Sequence, residues 1–362
     1  MVEYTKSDHQ YQVGIAGASG YTGAELLRIC DGHPDFKVSW VTAQSYAGSK
    51  VASLYPTLAD AYPDLVFQNI DLMAPEFPAV DLIFSALPHG ESQRYIAQFS
   101  ESASVVVDLA ADFRLKNSAV YKQWYGSEHT AAQFLDKAVY GLPELNRGQI
   151  RKSGLIASAG CYPTAAILAL APLLKAKVVS NTGIVVDAVS GVSGAGSKAT
   201  DTTHFSYINE NFSAYGLLNH RHTPEIEQEL EAQVIFTPHL APMTRGILAT
   251  CYSRPLKTAS KKTGLKGGSA EAFLEIFEDA YKNEPFVKVV TDPLASPPST
   301  KSCWGTNQAL VGVCFDERTG WVVSLCALDN LVKGASGQAV QCANLALGLP
   351  EDSGLNMIGV YP

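Results

Sequence analysis

A chain of 362 residues is long enough for two domains, and its 46 % hydrophobic content can build a substantial core, with only 17 % of residues charged. The formal net charge of -8 and the absence of a basic stripe leave no footprint for nucleic acid, so an anionic ligand must meet its cations locally. The seven cysteines are odd in number and show neither C-x-x-C pairs nor metal-ligand spacing, which argues against a disulfide scaffold and a bound metal and for a reducing compartment.

The polar start, MVEYTKSDHQYQ, has no apolar run of signal-peptide length. No later stretch reaches the ~18 apolar residues of a membrane span, so a cytoplasmic protein without a membrane partner is expected. Residues 11–17 read as a short buried strand. A glycine turn follows, then a helix whose apolar face is Ala24, Leu26, Leu27 and Cys30 and whose stop is Gly32 with Pro34 beyond. Strands are predicted over 37–43, 80–86 and 104–109, with a helix around 91–100. Strands alternating with helices predict an α/β fold with a Rossmann-type, doubly wound parallel sheet. From about residue 155 the pattern changes. A helix over 164–175, apolar all round, is predicted to be buried. Strand-like runs follow at 184–190, 233–237, 246–253, 286–290, 308–315 and 321–328. Only a helix over 269–282 interrupts them, after a Lys/Gly/Ser-rich loop at 257–269 read as exposed and mobile. These runs predict a second, α+β domain with a mainly antiparallel sheet, closed by a small apolar helix over 333–347.

Gly17, Ala18, Ser19, Gly20, Tyr21, Thr22 and Gly23 form a G-x-x-G-x-x-G turn at the first strand-to-helix junction. Glycine there allows a tight turn and close approach to a pyrophosphate, which the helix N-terminus attracts with its free N–H groups and dipole. An ordinary glycine turn would share the spacing; the position at the first strand–helix junction favours the cofactor. An NAD enzyme usually carries an acidic residue ~20 positions on, at the end of the second strand. Here that place holds Thr42-Ala43-Gln44-Ser45, with Lys50 nearby, so a 2′-phosphate is tolerated and NADP(H) is favoured, with Ser45 as a ligand.

Cys161, in Gly160-Cys161-Tyr162-Pro163-Thr164, precedes the buried helix, and a thiol at a helix N-terminus gains thiolate character from the dipole. Composition alone would make it an ordinary core cysteine, and that setting is what raises it to a candidate nucleophile. His220-Arg221-His222-Thr223-Pro224-Glu225 opens another helix, with Thr223 read as N-cap and Pro224 as first helical residue. If 220–222 are extended, His220 and His222 face one way, and either can be the acid/base. The loop Ser190–Lys198 is read as an anion nest with Lys198 as its charge. Arg114 and Arg245 are candidate clamps for phosphate or carboxylate, although each taken singly reads more readily as a salt-bridging arginine.

Taken in order, GASGYTGAELLRI (17–29), DFRL (112–115), YGLPELNR (140–147), GCYPTAA (160–166), SGVSGAG (190–196), HRHTPEI (220–226), FTPHLAPMTRGIL (236–248) and DNLVKGASGQAVQCAN (329–344) resemble the N-acetyl-gamma-glutamyl-phosphate reductases, relatives of aspartate-semialdehyde dehydrogenase. The resemblance implies an NADPH-dependent reduction of an acyl phosphate in arginine biosynthesis, with release of phosphate and a thioester on Cys161. It implies an acid/base histidine from the HRH segment, Arg114 on the phosphate and Arg245 on the substrate carboxylate. Asn330 and Gly334 would return to the nicotinamide, so that the NADP-binding domain is 1–160 plus 330–362 and the catalytic and oligomerisation domain 161–329. Relatives of this kind are homodimers or homotetramers. The chain departs from the family pattern at Ser158-Ala159 and at Ala110, which touches the surroundings of the site and not the reaction class. The rival readings are a sister enzyme reducing another acyl phosphate and a non-catalytic NADP-binding regulator.

Overall fold

The computed structural model describes residues 10–69, 78–256 and 269–360; the first nine residues and the loop predicted over 257–269, apart from Ser269, lie outside the described residues. The chain divides into two compact units. One runs to Ala159 and is taken up again over Ala335–Met357; the other is Gly160–Gly334 with the tail from Ile358.

In the first unit β1 (Tyr11–Ala16), α1 (Tyr21–Asp31), β2 (Phe36–Thr42), β3 (Phe67–Gln68), β4 (Val80–Ser85), α2 (Ser92–Ser102) and β5 (Ala103–Asp108) follow the alternation predicted from the sequence. Four elements that the sequence reading did not place come next: α3 (Ser118–Tyr125), β6 (Val139–Gly141), α4 (Pro143–Ile150) and β7 (Leu155–Ser158). The two strands are only three and four residues long, too short for a periodic signal. Local chemistry nonetheless explains α3: the Asn117 side chain accepts from the N–H groups of Ala119 and Val120, and Gly126 ends the helix at φ 76°. All seven strands are parallel, in the order β3-β2-β1-β4-β5-β7-β6. The order runs outward in both directions from the β1/β4 neighbours, so the topological switch point, where such sheets bind ligands, lies at the carboxyl ends of these two strands.

In the second unit α5 (Cys161–Lys175) begins three residues earlier than periodicity suggested, and Tyr162–Leu173 are all buried. Pro163 is tolerated because a first-turn N–H has no helical partner. The sheet comprises β8 (Ile184–Gly191), β9 (Ser213–Ala214), β10 (Val234–Ala241), β11 (Ile247–Ser253), β12 (Val287–Val289), β13 (Ala309–Asp316) and β14 (Trp321–Leu328), in the order β12-β13-β14-β11-β8-β10-β9. Pairing is antiparallel except for β10 with β8 and β12 with β13, a mixed, mainly antiparallel sheet. Burial alternates along β8 and β11, and α5 packs against β11 and β14. Two further helices belong here, α6 (Thr223–Leu230) and α7 (Ala270–Tyr281), the latter capped by the Ser269 hydroxyl. The closing helix α8 (Gly337–Ala346) belongs to the first unit and is preceded by a π-helical turn over Val332–Ser336.

Candidate active site

At the glycine turn, Gly17 stands at φ +81°, and a Cβ there would lie 2.7 Å from the carbonyl oxygen of Ala86, the residue after β4. A Cβ on Gly23 would strike the Ala18 carbonyl at 2.4 Å, while a Cβ on Gly20 would meet nothing within 4 Å. The turn therefore has two closed sides and one open one, with the uncapped N-terminus of α1 at Gly20 facing the opening. That cradle fits the pyrophosphate of a dinucleotide. Two residues outside the motif hold it. The Gly17 N–H donates to Thr42 Oγ1 at 3.0 Å, and the Tyr55 hydroxyl donates to the Ser19 carbonyl at 2.6 Å. Thr42 occupies the end of β2, where an NAD enzyme would place its carboxylate, and Ser45 beyond it is exposed. Lys50 is held elsewhere, donating to Asp64 and to the Pro63 carbonyl.

Cys161 is the first residue of α5, half-buried, and its N-cap Gly160 carries no capping side chain. The Gly160 N–H donates to Glu225 Oε1 at 2.8 Å, tying the thiol's helix to the first turn of α6. On the other side stands Gly334 in the π-helical turn, where a Cβ would come within 2.8 Å of the Cys161 Cβ. Only a glycine fits there. The neighbouring Tyr162 ring meets His220 and His222 edge-on, with centroids at 5.8 and 6.0 Å. Its hydroxyl donates to the His239 carbonyl and accepts from Tyr215.

The histidine segment is a turn, with the Thr223 N–H donating to the His220 carbonyl, and His222 rather than Thr223 is the N-cap of α6. The extended geometry imagined from the sequence is thus corrected, because Pro224 in the first turn starts the helix one residue earlier. The two rings still meet, with centroids 4.9 Å apart. His220 Nδ1 accepts from the His222 N–H at 3.1 Å, so a neutral His220 carries its proton on Nε2. Burial, aided by the Arg221 charge, lowers the His220 pKa to about 4, and the ring is neutral at pH 7.

Of the predicted cationic residues, Lys198 and Arg245 belong to the second unit and Arg114 to the first. Arg245 faces the buried Asp329 at 3.5 Å. The side-chain oxygen of Asn330 accepts from the Gly246 N–H and its amide donates to Ser193, so both Asn330 and Gly334 belong to the thiol's unit. Lys198 is exposed. Within the predicted nest at 190–198, the N–H groups of Gly191, Val192 and Ser193 donate to the carbonyls of Gly246, Met243 and Thr244. Arg114 lies in the first unit, buried, with Nε donating to the Ser158 carbonyl and Nη2 to that of Leu109, both at 2.8 Å.

Comparison with known proteins fits this arrangement. Residues 12–153 match the semialdehyde dehydrogenase NAD binding domain and residues 161–330 the semialdehyde dehydrogenase dimerisation domain. The N-acetyl-gamma-glutamyl-phosphate reductase of Pelotomaculum thermopropionicum is 49% identical over 358 residues, 97% of this chain and 99% of the relative. The chain belongs to the N-acetyl-gamma-glutamyl-phosphate reductase family. The corresponding reductase of Desulforudis audaxviator is 47% identical with the same coverage. Among solved structures, aspartate semialdehyde dehydrogenase II of Vibrio cholerae, complexed with ASA, superposes with a TM-score of 0.69 at 18% identity, over 94% of this chain and 99% of that one. Aspartate semialdehyde dehydrogenase with NADP from Candida albicans gives 0.64 at 16%, over 93% and 98%. At such identities the likeness establishes the fold.

Within the reductase family assignment, Cys161, His220, His222, Gly334, Asn330 and Arg245 belong to the second unit, and the glycine turn, Ser45 and Arg114 to the first. Sequence reasoning missed Thr42, Tyr55, Tyr162 and the Glu225–Gly160 bond. Tyr162 had one available signal, its place beside the thiol in GCYPT; the others are tertiary contacts with no local mark.

Proposed function

We propose that this chain reduces N-acetyl-gamma-glutamyl phosphate to N-acetylglutamate semialdehyde, releasing phosphate, in the cytosolic synthesis of arginine. The observation that carries the reading is a near-full-length relationship at 49% identity, with the thiol at a helix start. The Cys161 thiolate attacks the gamma-carbonyl carbon, the new C–S bond replaces the C–O bond to phosphate, and phosphate leaves with the electron pair. Bound NADPH supplies the hydride that reduces the thioester. The C–S electrons then return to sulfur as the aldehyde forms. His220 works as the neutral imidazole. While Nδ1 is held by the His222 N–H, the ring presents Nε2–H as a donor to the oxygen on which charge develops. Uptake of the thiol proton requires Nδ1 to leave that bond. Arg245 holds the substrate carboxylate and Lys198 lends charge from its exposed loop, while Arg114 carries the phosphate role only if its guanidinium turns from the carbonyls it now holds.

NADP rather than NAD is favoured by the absence of a carboxylate at the end of β2 and by the exposed Ser45, and the family resemblance alone supports a nicotinamide role for Asn330 and Gly334. The unit of residues 161–330 pairs with a second copy through its sheet. Val185, Val189, Leu248, Tyr252, Val323 and Leu325 make a half-exposed apolar face there, and Ile235 is 55% exposed. The decisive experiment is phosphate-dependent reduction of NADP by N-acetylglutamate semialdehyde, with wild type beside Cys161→Ala. Activity that requires phosphate and disappears in the variant is expected. A wild type that binds NADP and turns over neither this semialdehyde nor aspartate semialdehyde would instead make the chain a regulator.

A further inference from the structure

The segment after β4 forms one wall of the switch-point crevice. Ala86 bonds back to the Ala16 carbonyl at 2.8 Å, and its own carbonyl lies against Gly17. The chain then runs through Gly90, at φ +87°, into α2. The first turn of α2 has no cap of its own, because the Glu91 side chain makes no capping bond. The missing acceptor comes from elsewhere. Asp112, fully buried, accepts from the Gly90 N–H at 2.7 Å, the Gln93 N–H at 3.1 Å, the Ser92 hydroxyl at 3.1 Å and the Tyr121 hydroxyl at 3.1 Å. Four donors saturate one carboxylate.

We propose that Asp112 is a positioning residue for the cofactor, whose carboxylate fixes the 86–93 segment as the rigid wall facing the glycine turn. The DFR string thereby acquires a role for its first residue as well as for Arg114. A second carboxylate completes the device. The Ser92 hydroxyl lies 2.9 Å from Asp108 Oδ2 and 3.1 Å from Asp112 Oδ2, one proton for two acceptors. Asp108 brings the other proton, since burial and the Asp112 charge push its pKa up to about 7. When Asp108 holds its proton it donates to Ser92, Ser92 donates to Asp112, and the charge rests on the carboxylate that grips the loop. His129 meets Asp112 at the main chain, its Nε2 donating to the Asp112 main-chain oxygen at 2.7 Å.

The inference rests on the reading of the glycine turn as an NADPH site, so wild-type binding is measured first, by quenching of NADPH fluorescence. The test variant is Asp112→Asn, whose amide hydrogens oppose the donors of Ser92 and Gln93. The NADPH Kd should rise about tenfold or more, the equivalent of one or two lost hydrogen bonds. The KM for semialdehyde and the rate of Cys161 alkylation by iodoacetamide should stay within about twofold, a split that general damage to the fold would not produce. Should Asp112→Asn fail to fold, Ser92→Ala keeps both backbone bonds of Asp112 and should raise the Kd by about threefold. A Kd within about twofold of wild type in the folded Asn variant, or in Ser92→Ala if that is the one that folds, overturns the inference and leaves the cofactor reading intact. Parallel loss of all three readouts also overturns it. A wild type that binds no NADPH overturns the cofactor reading and the inference with it.

Discussion

The two units each bury a titratable side chain beside their functional loop, and the same physical cause drives the two in opposite directions. Burial disfavours whichever form is charged. In the first unit Asp108 keeps a proton it would lose in water, and in the second His220 sheds one it would hold near neutrality. Between about pH 4 and pH 7 one acid and one base are thus both neutral, each with its hydrogen bonds directed by a neighbour: Ser92 for Asp108, and the His222 N–H for His220. The first arrangement supports the proposed backbone wall, and the second sets which nitrogen of the His220 ring carries the proton. On the proposed function, buried polarity is a framework in one unit and a reagent in the other.

Replacing the histidines sharpens this contrast most. His220→Ala should lower kcat by about 10²–10³, in the range of one lost proton-handling group. His222→Ala, which leaves the backbone N–H that orients His220 in place, should cost less than about tenfold. NADPH affinity should be unchanged in both. Steady-state kinetics with fluorescence titration decides, and a larger loss at His222 would move the acid/base role to that ring.

A smaller and more local pair of changes tests whether the units work separately. Gly17→Ala places a Cβ at φ +81° and 2.7 Å from the Ala86 oxygen, so NADPH binding should weaken by about tenfold with Cys161 alkylation untouched. Gly334→Ala crowds the Cys161 Cβ, so alkylation and kcat should fall by about tenfold while NADPH still binds. Crossed effects, with either substitution damaging both readouts, would break the comparison.

The smallest effects concern stability against pH. Asp108 has its folded pKa raised from 3.8 to about 7, so its contribution is complete at low pH and is lost as pH rises to about 7. For His220 the folded value falls from 6.5 to about 4, so its contribution is present above 6.5 and is lost as pH drops towards 4. In urea unfolding, Asp108→Asn should flatten the decline on the rising side, and His220→Asn the decline below 6.5. Unchanged slopes in either variant would place that group outside the folded-state titration.

Much of this molecule can be read along the chain. Alternating strands and helices announced the parallel sheet, and the run Tyr162–Leu173 announced a buried helix with Cys161 near its start. The glycine turn and the HRHTPEI string mark the two candidate functional loops in the sequence. Where reading failed, the elements were too short, as in β6 and β7, or one residue of local geometry was misjudged, as at His222 and Thr223.

Sequence by itself determined whatever depends on neighbours a few residues apart: turn glycines, helix starts, strand alternation and the order of motifs. Tertiary structure decided which distant atoms answer them. Thr42 bonds Gly17 across 25 positions, Asp112 caps α2 across 22, and Glu225 holds Gly160 across 65. The physical reason is that a buried donor must find an acceptor, while the chain alone does not say which acceptor folding will bring within about 3 Å. The same contacts turned Arg114 towards two main-chain carbonyls and engaged the Gly191, Val192 and Ser193 N–H groups of a loop that looked like an anion nest.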